Sequence, residues 1–201
     1  MNVVCVGAHQ DDEMQCLGTL IKCAQRGDRV TVITISNGDK GGQYDLNIPH
    51  AEMARLRMAE SRAVVESLGG QYYCLGQEDE YVEDNREIRD GLARLLRQVG
   101  ADLVLTSPPC DYNPDHVITG EITFHAVMLS TVRTMYEDLP VLDHTPAMYY
   151  HDSVAGIGFE PTYYVDISAV FERKCALLRD SFKTQMLNMA KFGGWDLVTL
   201  S

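Results

Sequence analysis

The sequence has few basic residues for its acidic content and no long apolar run. Its 17 Lys and Arg residues are outnumbered by 29 Asp and Glu residues, which gives a net charge of −12. Because nucleic-acid binding depends on clustered Lys and Arg, we expect no nucleic-acid partner. A membrane-spanning helix needs about 20 consecutive apolar residues, and no segment is that apolar, so we expect no membrane partner.

Paired cysteines are also absent, because the six cysteines are scattered and none forms a CxxC pair. A disulfide framework is therefore not expected in a chain of this size, and the composition favours a reducing compartment. The chain starts directly with a β-rich segment and has no basic stretch before it, so we expect no secretory signal. We therefore predict a cytoplasmic protein with a single domain over residues 1–201, which is long enough to bury a core.

What the sequence does contain is a regular alternation of strand-like and helix-like segments. Predicted strands cover 2–8, 29–36, 71–76, 102–107, 146–152 and 162–168. Predicted helices cover 16–27, 49–70, 86–100, 116–137 and 169–191. This alternation predicts an α/β fold, with a mostly parallel sheet and helices on both faces.

Polar and titratable residues follow each of the first four predicted strands. They occupy residues 9–13, 37–42, 77–79 and 111–116. In parallel α/β sheets, ligands bind outside the carboxyl ends of the strands. These four segments are therefore expected to meet at one edge of the sheet and to form a site there.

The first of these segments has the residue types of a metal site. His9 and Asp12 are three residues apart on a turn, and imidazole and carboxylate groups are common ligands of Zn²⁺ and Fe²⁺. His116 is the best candidate for a third ligand, because it begins a predicted helix on the same edge. A divalent metal lowers the pKa of a coordinated water, and Asp11 could then act as general base.

Simpler explanations exist for several of these residues. Asp11 or Asp12 could cap a helix that begins near Met14, although a cap explains neither His9 nor the second aspartate. His116 could be an ordinary polar residue at a helix start. The run EDEYVED at 78–84 is typical of a solvated acidic surface, with Asp79 as an exception.

Several motifs together resemble the LmbE/PIG-L family of zinc-dependent N-deacetylases. AHQDDE at 8–13 is similar to the AHPDDE signature of that family, and NPDHVITG at 113–120 is similar to its H-P-D-H motif. Further similar segments are TISNGDKGG at 34–42, RMAE at 57–60, LGQEDE at 75–80 and PTYYVDISAVFERKCALL at 161–178. The resemblance covers essentially the whole chain, in order and spacing.

The resemblance implies a Rossmann-like three-layer α/β sandwich that removes an N-acyl group, usually N-acetyl, from an amino sugar or its conjugate. It implies that His9, Asp12 and His116 hold Zn²⁺, with Fe²⁺ or another divalent metal as alternatives. It further implies that Asp11 is the general base and that Asp115 supports the loop of the third ligand. Arg57 and Asp79 match positions that contact the sugar. The implied partner is a small N-acetylated sugar or sugar conjugate, and family members commonly form homo-oligomers.

Two positions depart from the family pattern. Gln10 replaces the usual proline, which is expected to relax the turn. Asn113 replaces the first histidine of H-P-D-H. In family enzymes that histidine helps to stabilise the oxyanion or protonates the leaving amine. Asparagine cannot carry a proton at neutral pH. Tyr112 and His151 are candidate stand-ins, so we include both among the expected substrate-binding residues.

The departure at Asn113 leaves two alternatives to deacetylation open. One is a metal-dependent hydratase or lyase of the same fold, and the other is a catalytically impaired sugar-binding homologue. Glu13 has no assigned chemistry, and we expect it to orient the ligand turn from outside the ligand set.

Overall fold

The computed structural model describes residues 1–193, and its five strands form one parallel sheet. The strands are β1 Asn2–Gly7, β2 Arg29–Ser36, β3 Gln71–Gln77, β4 Leu103–Thr106 and β5 Ala147–Tyr150. Their order in the sheet is β3-β2-β1-β4-β5, and every neighbouring pair is parallel. The predicted parallel sheet is therefore confirmed, with β1 at its centre.

Helices make up most of the connections between strands. They are α1 Leu17–Gln25, α2 His50–Ser67, α3 Arg86–Val99, α4 Pro114–Ser130, α5 Phe171–Ser181 and α6 Lys183–Asn188. Single 3-10 turns occur at Asp12–Met14 and Ser168–Val170, and a π-helical turn at Met189–Gly193 follows α6. Along the described part of the chain, no helix is both long and apolar enough to cross a membrane.

Helices pack on both faces of the sheet, as the alternating side chains of β1 show. Val4 and Val6 share one core cluster with apolar residues of α3 and α4. Val3 and Cys5 point to the other face and share a second cluster with residues of α1 and α2. Since neighbouring residues of a strand point to opposite faces, this division confirms the α/β sandwich predicted from the sequence.

The prediction of a sixth strand at 162–168 is wrong. Residues 162–167 form no strand, and Tyr163 and Tyr164 remain 74% and 83% exposed. Residues 162–167 do not pair with β5, the edge strand of the described sheet, although the Tyr163 ring meets the Tyr149 ring of β5 edge-on with a centroid distance of 5.6 Å. The segment instead leads into α5.

Two predicted helices differ in extent from those observed. The predicted helix at 116–137 begins earlier, at Pro114, and ends at Ser130. The predicted helix at 169–191 is interrupted at Phe182, whose backbone lies outside the helical region. Phe182 is fully buried in a cluster with residues of α1 and α2, so packing favours this break over a continuous helix.

Candidate metal centre and its cavity

The turn that follows β1 is built around the side chain of Asp12. Its Oδ2 accepts hydrogen bonds from the backbone N–H groups of Ala8 at 2.7 Å and His9 at 3.0 Å. A Cβ on Gly7 would lie 2.7 Å from Asp12 Cβ, so only glycine allows this approach. Neither aspartate caps a helix here: the Asp12 carboxylate points back to the turn, and Asp11, which precedes the 3-10 turn, makes no side-chain cap bond.

Gln10 anchors the same turn, so the expectation that it relaxes the turn is wrong. Its side chain is buried, and Nε2 donates to the carbonyl oxygen of Ser36 at 2.7 Å and to Thr34 Oγ1 at 3.2 Å. Gly38 lies close beside this side chain with a positive φ of 71°, and a Cβ there would collide with Gln10 Oε1. The ligand turn is therefore tied to the end of β2.

Three side chains from two elements bring ligand atoms together at the edge of the sheet. His9 Nδ1 lies 3.2 Å from His116 Nε2, and His116 Nε2 lies 3.3 Å from Asp12 Oδ1. All three residues belong to a group whose potential ligand atoms lie within 4.8 Å of one another. His9 and Asp12 come from the turn after β1, and His116 comes from the first turn of α4. The structure thus brings together the three residues that the sequence suggested as ligands.

The second nitrogen of each imidazole faces a carboxylate on the side away from this group. His9 Nε2 lies 3.2 Å from Asp115 Oδ2 and 3.1 Å from Asp79 Oδ1. His116 Nδ1 lies 3.1 Å from Asp111 Oδ1, whose side chain is completely buried. In the neutral form of each ring, outward donation of the N–H group leaves His9 Nδ1 and His116 Nε2 with a free electron pair for a metal.

The sequence analysis did not single out Asp111 as a partner of His116. The available signal was its position in the same polar loop, five residues before His116. A second possible ligand group consists of His9, Asp79 and Asp115 on the other side of the His9 ring. Asp115 does not line the cavity described below, whereas His9, Asp12 and His116 all do.

The centre has an excess of negative charge that favours a bound cation. Five carboxylates lie around the candidate ligand atoms, those of Asp11, Asp12, Asp79, Asp111 and Asp115. Burial alone would lower the pKa of His116, but the Asp12 carboxylate outweighs burial and raises that pKa to about 9. Burial also opposes protonation of His9, yet hydrogen bonds to Asp115 and Asp79 raise its pKa well above the ordinary value. Positive charge, carried by protons or by a metal ion, is therefore stabilised here.

Asp11 lies beside the candidate ligands and is paired with the buried Arg57. Asp11 Oδ1 lies 3.0 Å from Arg57 Nη2, which also donates to the carbonyl oxygen of Gln10. Burial raises the pKa of Asp11 to about 6, although the Arg57 charge acts in the opposite direction. Arg57 Nη1 lies 3.5 Å from Asp79 Oδ2, so one guanidinium group holds two acidic residues of the site in place.

Glu13 is buried at the ligand turn and does not line the cavity. Only 1% of Glu13 is exposed, and neither of its carboxyl oxygens has a hydrogen-bond partner among the described residues. Burial raises the pKa of Glu13 to about 8, and the nearby hydroxyl of Ser61 only partly offsets this effect. The carboxyl group is therefore protonated at neutral pH.

The loop before α4 places Tyr112 and Asn113 at the cavity. Asn113 caps α4, because its Oδ1 accepts a hydrogen bond from the backbone N–H of Asp115 at 2.8 Å. Its Nδ2 has only a long contact of 3.5 Å with Glu80. Tyr112 is edge-on to the His116 ring, and burial together with nearby carboxylates raises the pKa of Tyr112 to about 12. Its hydroxyl group stays protonated and can donate a hydrogen bond.

His151 contributes an unpartnered nitrogen to the same cavity. Its Nδ1 lies 3.1 Å from the carbonyl oxygen of Asp152, which favours the tautomer with the proton on Nδ1. Among the described residues, nothing bonds to the buried Nε2 of His151 or to the buried hydroxyl of Ser153. Burial lowers the pKa of His151, so the ring is neutral and Nε2 is a hydrogen-bond acceptor.

Most of these groups line one cavity of about 570 Å³. Of the ten site residues predicted from the sequence, nine line it, and the exception is Asp115. The opposite wall comes from α5, α6 and the residue after them, and the sequence analysis did not assign it to the site. Its lining residues are Phe171, Lys174, Cys175, Leu178, Gln185, Asn188 and Met189.

The fold and site define an α/β protein with a candidate metal centre at the carboxyl edge of a parallel sheet. The family model for PIG-L, described as GlcNAc-PI de-N-acetylase, matches residues 4–127, and the chain belongs to this family. This membership confirms the resemblance on which the sequence analysis drew. No curated protein matches the chain by sequence.

Solved structures of related proteins agree with the fold. N,N′-diacetylchitobiose deacetylase from Pyrococcus horikoshii has 25% identity and a TM-score of 0.81, over 92% of this chain and 70% of that chain. GalB, the 4-carboxy-2-hydroxymuconate hydratase of Pseudomonas putida, has 20% identity and a TM-score of 0.81, over 95% and 84% of the two chains. The A40926 pseudoaglycone deacetylase Dbv21 has 17% identity and a TM-score of 0.67, over 96% and 84%. At 20% and 17% identity, the similarity to GalB and to Dbv21 shows only that these proteins share the fold of this chain.

Proposed function

We propose that the protein is a metal-dependent N-deacetylase that removes an N-acetyl group from an amino sugar or its conjugate. The observation that carries the proposal is the convergence of His9, Asp12 and His116, with Asp11 beside them. Membership of the PIG-L family and the similarity to a chitobiose deacetylase support the same reaction.

The chemistry of the donor set fits a divalent metal. His9, Asp12 and His116 offer two imidazole nitrogens and one carboxylate oxygen, and the outer nitrogens are held by carboxylates. Two histidines and a carboxylate suit Zn²⁺ and also Fe²⁺, and the cavity side of the group leaves room for further ligands. When bound, such a metal acts as a Lewis acid that polarises the acyl carbonyl and activates water.

Asp11 is the proposed general base. It takes one proton from the attacking water as the new C–O bond forms at the acyl carbon. It then gives that proton to the amine nitrogen as the C–N bond breaks, so the products are acetate and the free amine. Burial raises its pKa to about 6, which suits a group that must both accept and release a proton near neutral pH.

Tyr112 and Asn113 are the proposed donors for the oxygen of the acyl group. The Tyr112 hydroxyl and Asn113 Nδ2 are the donors that the loop before α4 presents at the cavity. Removal of one oxyanion donor typically lowers the rate by about 10²–10³. His151 Nε2 is the proposed acceptor for a hydroxyl or amide N–H group of the substrate.

Arg57, Asp79 and Asp115 complete the proposed assignments. Asp115 positions His9 and also accepts the backbone N–H of Val82, so it acts on the ligand and not on the substrate. Asp79 and Arg57 line the cavity and are proposed to bind sugar hydroxyl groups, in addition to their contacts with His9 and Asp11.

The test is a product balance on metal-loaded protein with N,N′-diacetylchitobiose and glycosides of N-acetylglucosamine. Wild-type protein should release acetate and amine in equal amounts. The Asp11→Asn variant should keep its metal and lose about 10²–10⁴ in rate, because it lacks the base. Full activity in Asp11→Asn would refute the base assignment, and tight sugar binding without any turnover would favour a sugar-binding homologue.

A second candidate function is hydration or lyase chemistry at the same metal centre. It is favoured by one observation: Asn113 caps α4 at the position where the family motif has a histidine, so no imidazole is available there to protonate a leaving amine. The product balance separates the two reactions. Hydration consumes an unsaturated substrate and releases neither acetate nor amine.

A further inference from the structure

The cavity is lined by a lysine, Lys174, that has no role in the proposed metal centre or in the proposed acid–base chemistry. Apart from the histidines, three lining residues have basic side chains, namely Lys40, Arg57 and Lys174. Lys40 Nζ lies 2.6 Å from Glu78 Oε1, and Arg57 is paired with Asp11 and Asp79. Within the described residues, Lys174 alone of these three has no carboxylate partner.

The surroundings of Lys174 make this isolation costly. Lys174 lies on α5, on a helix face with Phe171, Cys175 and Leu178, which also line the cavity. Burial lowers the pKa of Lys174, and the opposing influences come from the thiols of Cys16 and Cys175, with no carboxylate among them. A lysine in such a partly apolar wall is stabilised by a negative charge, and no carboxylate among residues 1–193 pairs with it.

We infer that Lys174 forms an anion-binding subsite in the cavity, so that the substrate carries a carboxylate or phosphate group besides its N-acyl group. The inference rests on the proposed function for the N-acyl part and, for the anion, on an ammonium group that no carboxylate of the described residues pairs. It assigns the two ends of the ligand to two walls. The acyl group faces the centre of His9, Asp12 and His116, and the anion faces α5.

The charge of the rest of the site makes a specific cation necessary for such a substrate. The chain has a net charge of −12, and carboxylates surround the metal centre. An anionic ligand would be repelled by this field unless a cation compensated for it. Amide groups of Gln15, Gln185 and Asn188 line the cavity as well and can bind polar parts of the ligand.

The experiment compares matched anionic and neutral ligands. The probes are N-acetylglucosamine 1-phosphate, N-acetylglucosamine 6-phosphate and N-acetylmuramic acid, with methyl N-acetylglucosaminide as the neutral reference. Binding is measured by calorimetry on metal-loaded protein in the Asp11→Asn background, in which turnover is suppressed. The phosphates and the carboxylate identify which anion the subsite prefers.

At least one anion should bind about 10- to 100-fold more tightly than the neutral reference, as expected for a hydrogen-bonded charge pair. Lys174→Met should remove this preference and leave binding of the neutral reference unchanged. Lys174→Arg should keep the preference. Lys183→Met is the matched control, because Lys183 is exposed on α6 and does not line the cavity, and it should have no effect.

Equal binding of anionic and neutral probes would overturn the inference, as would failure of all three anions to bind. An equal loss for both kinds of probe in Lys174→Met would also overturn it, because Lys174 would then act only through packing. Acetate release from the same probes is measured separately with Asp11 intact. If no acetate is released while the Lys174-dependent preference persists, the proposed reaction is wrong and the anion subsite stands.

Discussion

At the scale of single residues, the candidate ligands depend on carboxylates that are not themselves ligands. The Asp111 carboxylate contacts His116 Nδ1, and the carboxylates of Asp115 and Asp79 contact His9 Nε2. These contacts fix the tautomer of each ring and direct the remaining nitrogen to the cavity. Asp111 therefore helps to hold His116 in the orientation and tautomer of a ligand.

Replacing Asp111 should weaken metal binding without removing a ligand. Asp111→Leu is expected to lower metal affinity about 10- to 100-fold, the range typical for the loss of such an outer partner. Asp111→Asn, which keeps an acceptor oxygen, should lose less. Metal affinity is measured by competition with a chromophoric chelator.

The matched control for Asp111 is Asp143→Leu, which breaks another aspartate–histidine contact. Asp143 Oδ1 lies 2.6 Å from His144 Nδ1, but Asp143 is exposed and neither residue lines the cavity. Equal metal affinity in wild type and Asp111→Leu would show that Asp111 does not position His116.

Glu13 should make the protein less stable as pH rises. Its pKa is raised by burial to about 8 in the folded protein, above the ordinary value of 4.5. Between these values the folded state holds a proton that the unfolded state has released, so the free energy of unfolding falls as pH rises through this window. Glu13→Gln removes the titration and should be more stable than wild type at pH 8, by on the order of 1–3 kcal/mol.

Chemical denaturation of metal-free protein at pH 5 and pH 8 measures this effect. The advantage of Glu13→Gln should be larger at pH 8 than at pH 5. Glu121→Gln is the control, because Glu121 is exposed on α4. A Glu13→Gln variant that is less stable than wild type at pH 8 would show that the buried carboxylate has a stabilising partner.

At the scale of elements, the turn between β1 and α1 carries most of the site. Its shape depends on the small size of Gly7 and on the hydrogen bonds of the buried Gln10. The sequence predicted that His9, Asp11 and Asp12 would project from this turn. It did not predict that Gln10 would anchor the turn to β2, because that contact joins residues distant in the chain.

Gly7→Ala should disturb this turn more than an ordinary glycine substitution does. The new Cβ would lie 2.7 Å from Asp12 Cβ, so Asp12 must shift and its hydrogen bonds to the turn must lengthen. We expect a loss of stability of about 1–3 kcal/mol, together with weaker metal binding. Both are measured on purified protein by denaturation and chelator competition.

Gly91→Ala is the control for this substitution. Gly91 lies inside α3, where a Cβ would meet only the flexible end of Leu75 at 3.3 Å. Alanine favours helix formation over glycine, so this variant should be as stable as wild type or more stable. An equally mild effect of Gly7→Ala would contradict the account of the ligand turn.

The order of strands and helices was largely predictable, because periodicity and cap residues are local signals. The failures occurred where distant contacts decide the structure. Tyr163 and Tyr164 have β-forming side chains, and the Tyr163 ring contacts Tyr149 of β5, yet residues 162–167 form no strand. The last helix breaks where Phe182 is buried against α1 and α2. Neither outcome can be read from the local sequence.

At the scale of the whole molecule, the sheet brings four loops to one cavity and the chain after β5 closes its far wall. Motif residues predicted the metal side well, because the loops that follow parallel strands meet at one edge. The wall from α5 and α6 was not predicted, because its position depends on tertiary packing. The family-like segment at 161–178 includes residues of this wall, but the resemblance assigned none of them to the site. Lys174 was therefore visible only in the structure. The single domain over 1–201, the homo-oligomer and the cytoplasmic location stay predictions.

Acetate release as a function of bound metal tests the proposed metal-dependent deacetylation directly. Metal-free protein is titrated with Zn²⁺, and in parallel with Fe²⁺ under anaerobic conditions, and acetate from N,N′-diacetylchitobiose or an anionic N-acetylglucosamine derivative is followed. Activity should rise to a maximum at one equivalent of metal per chain and should be lost in His116→Ala. Full acetate release by metal-free protein, or unchanged activity and metal content in His116→Ala, would contradict the proposed metal-dependent deacetylation.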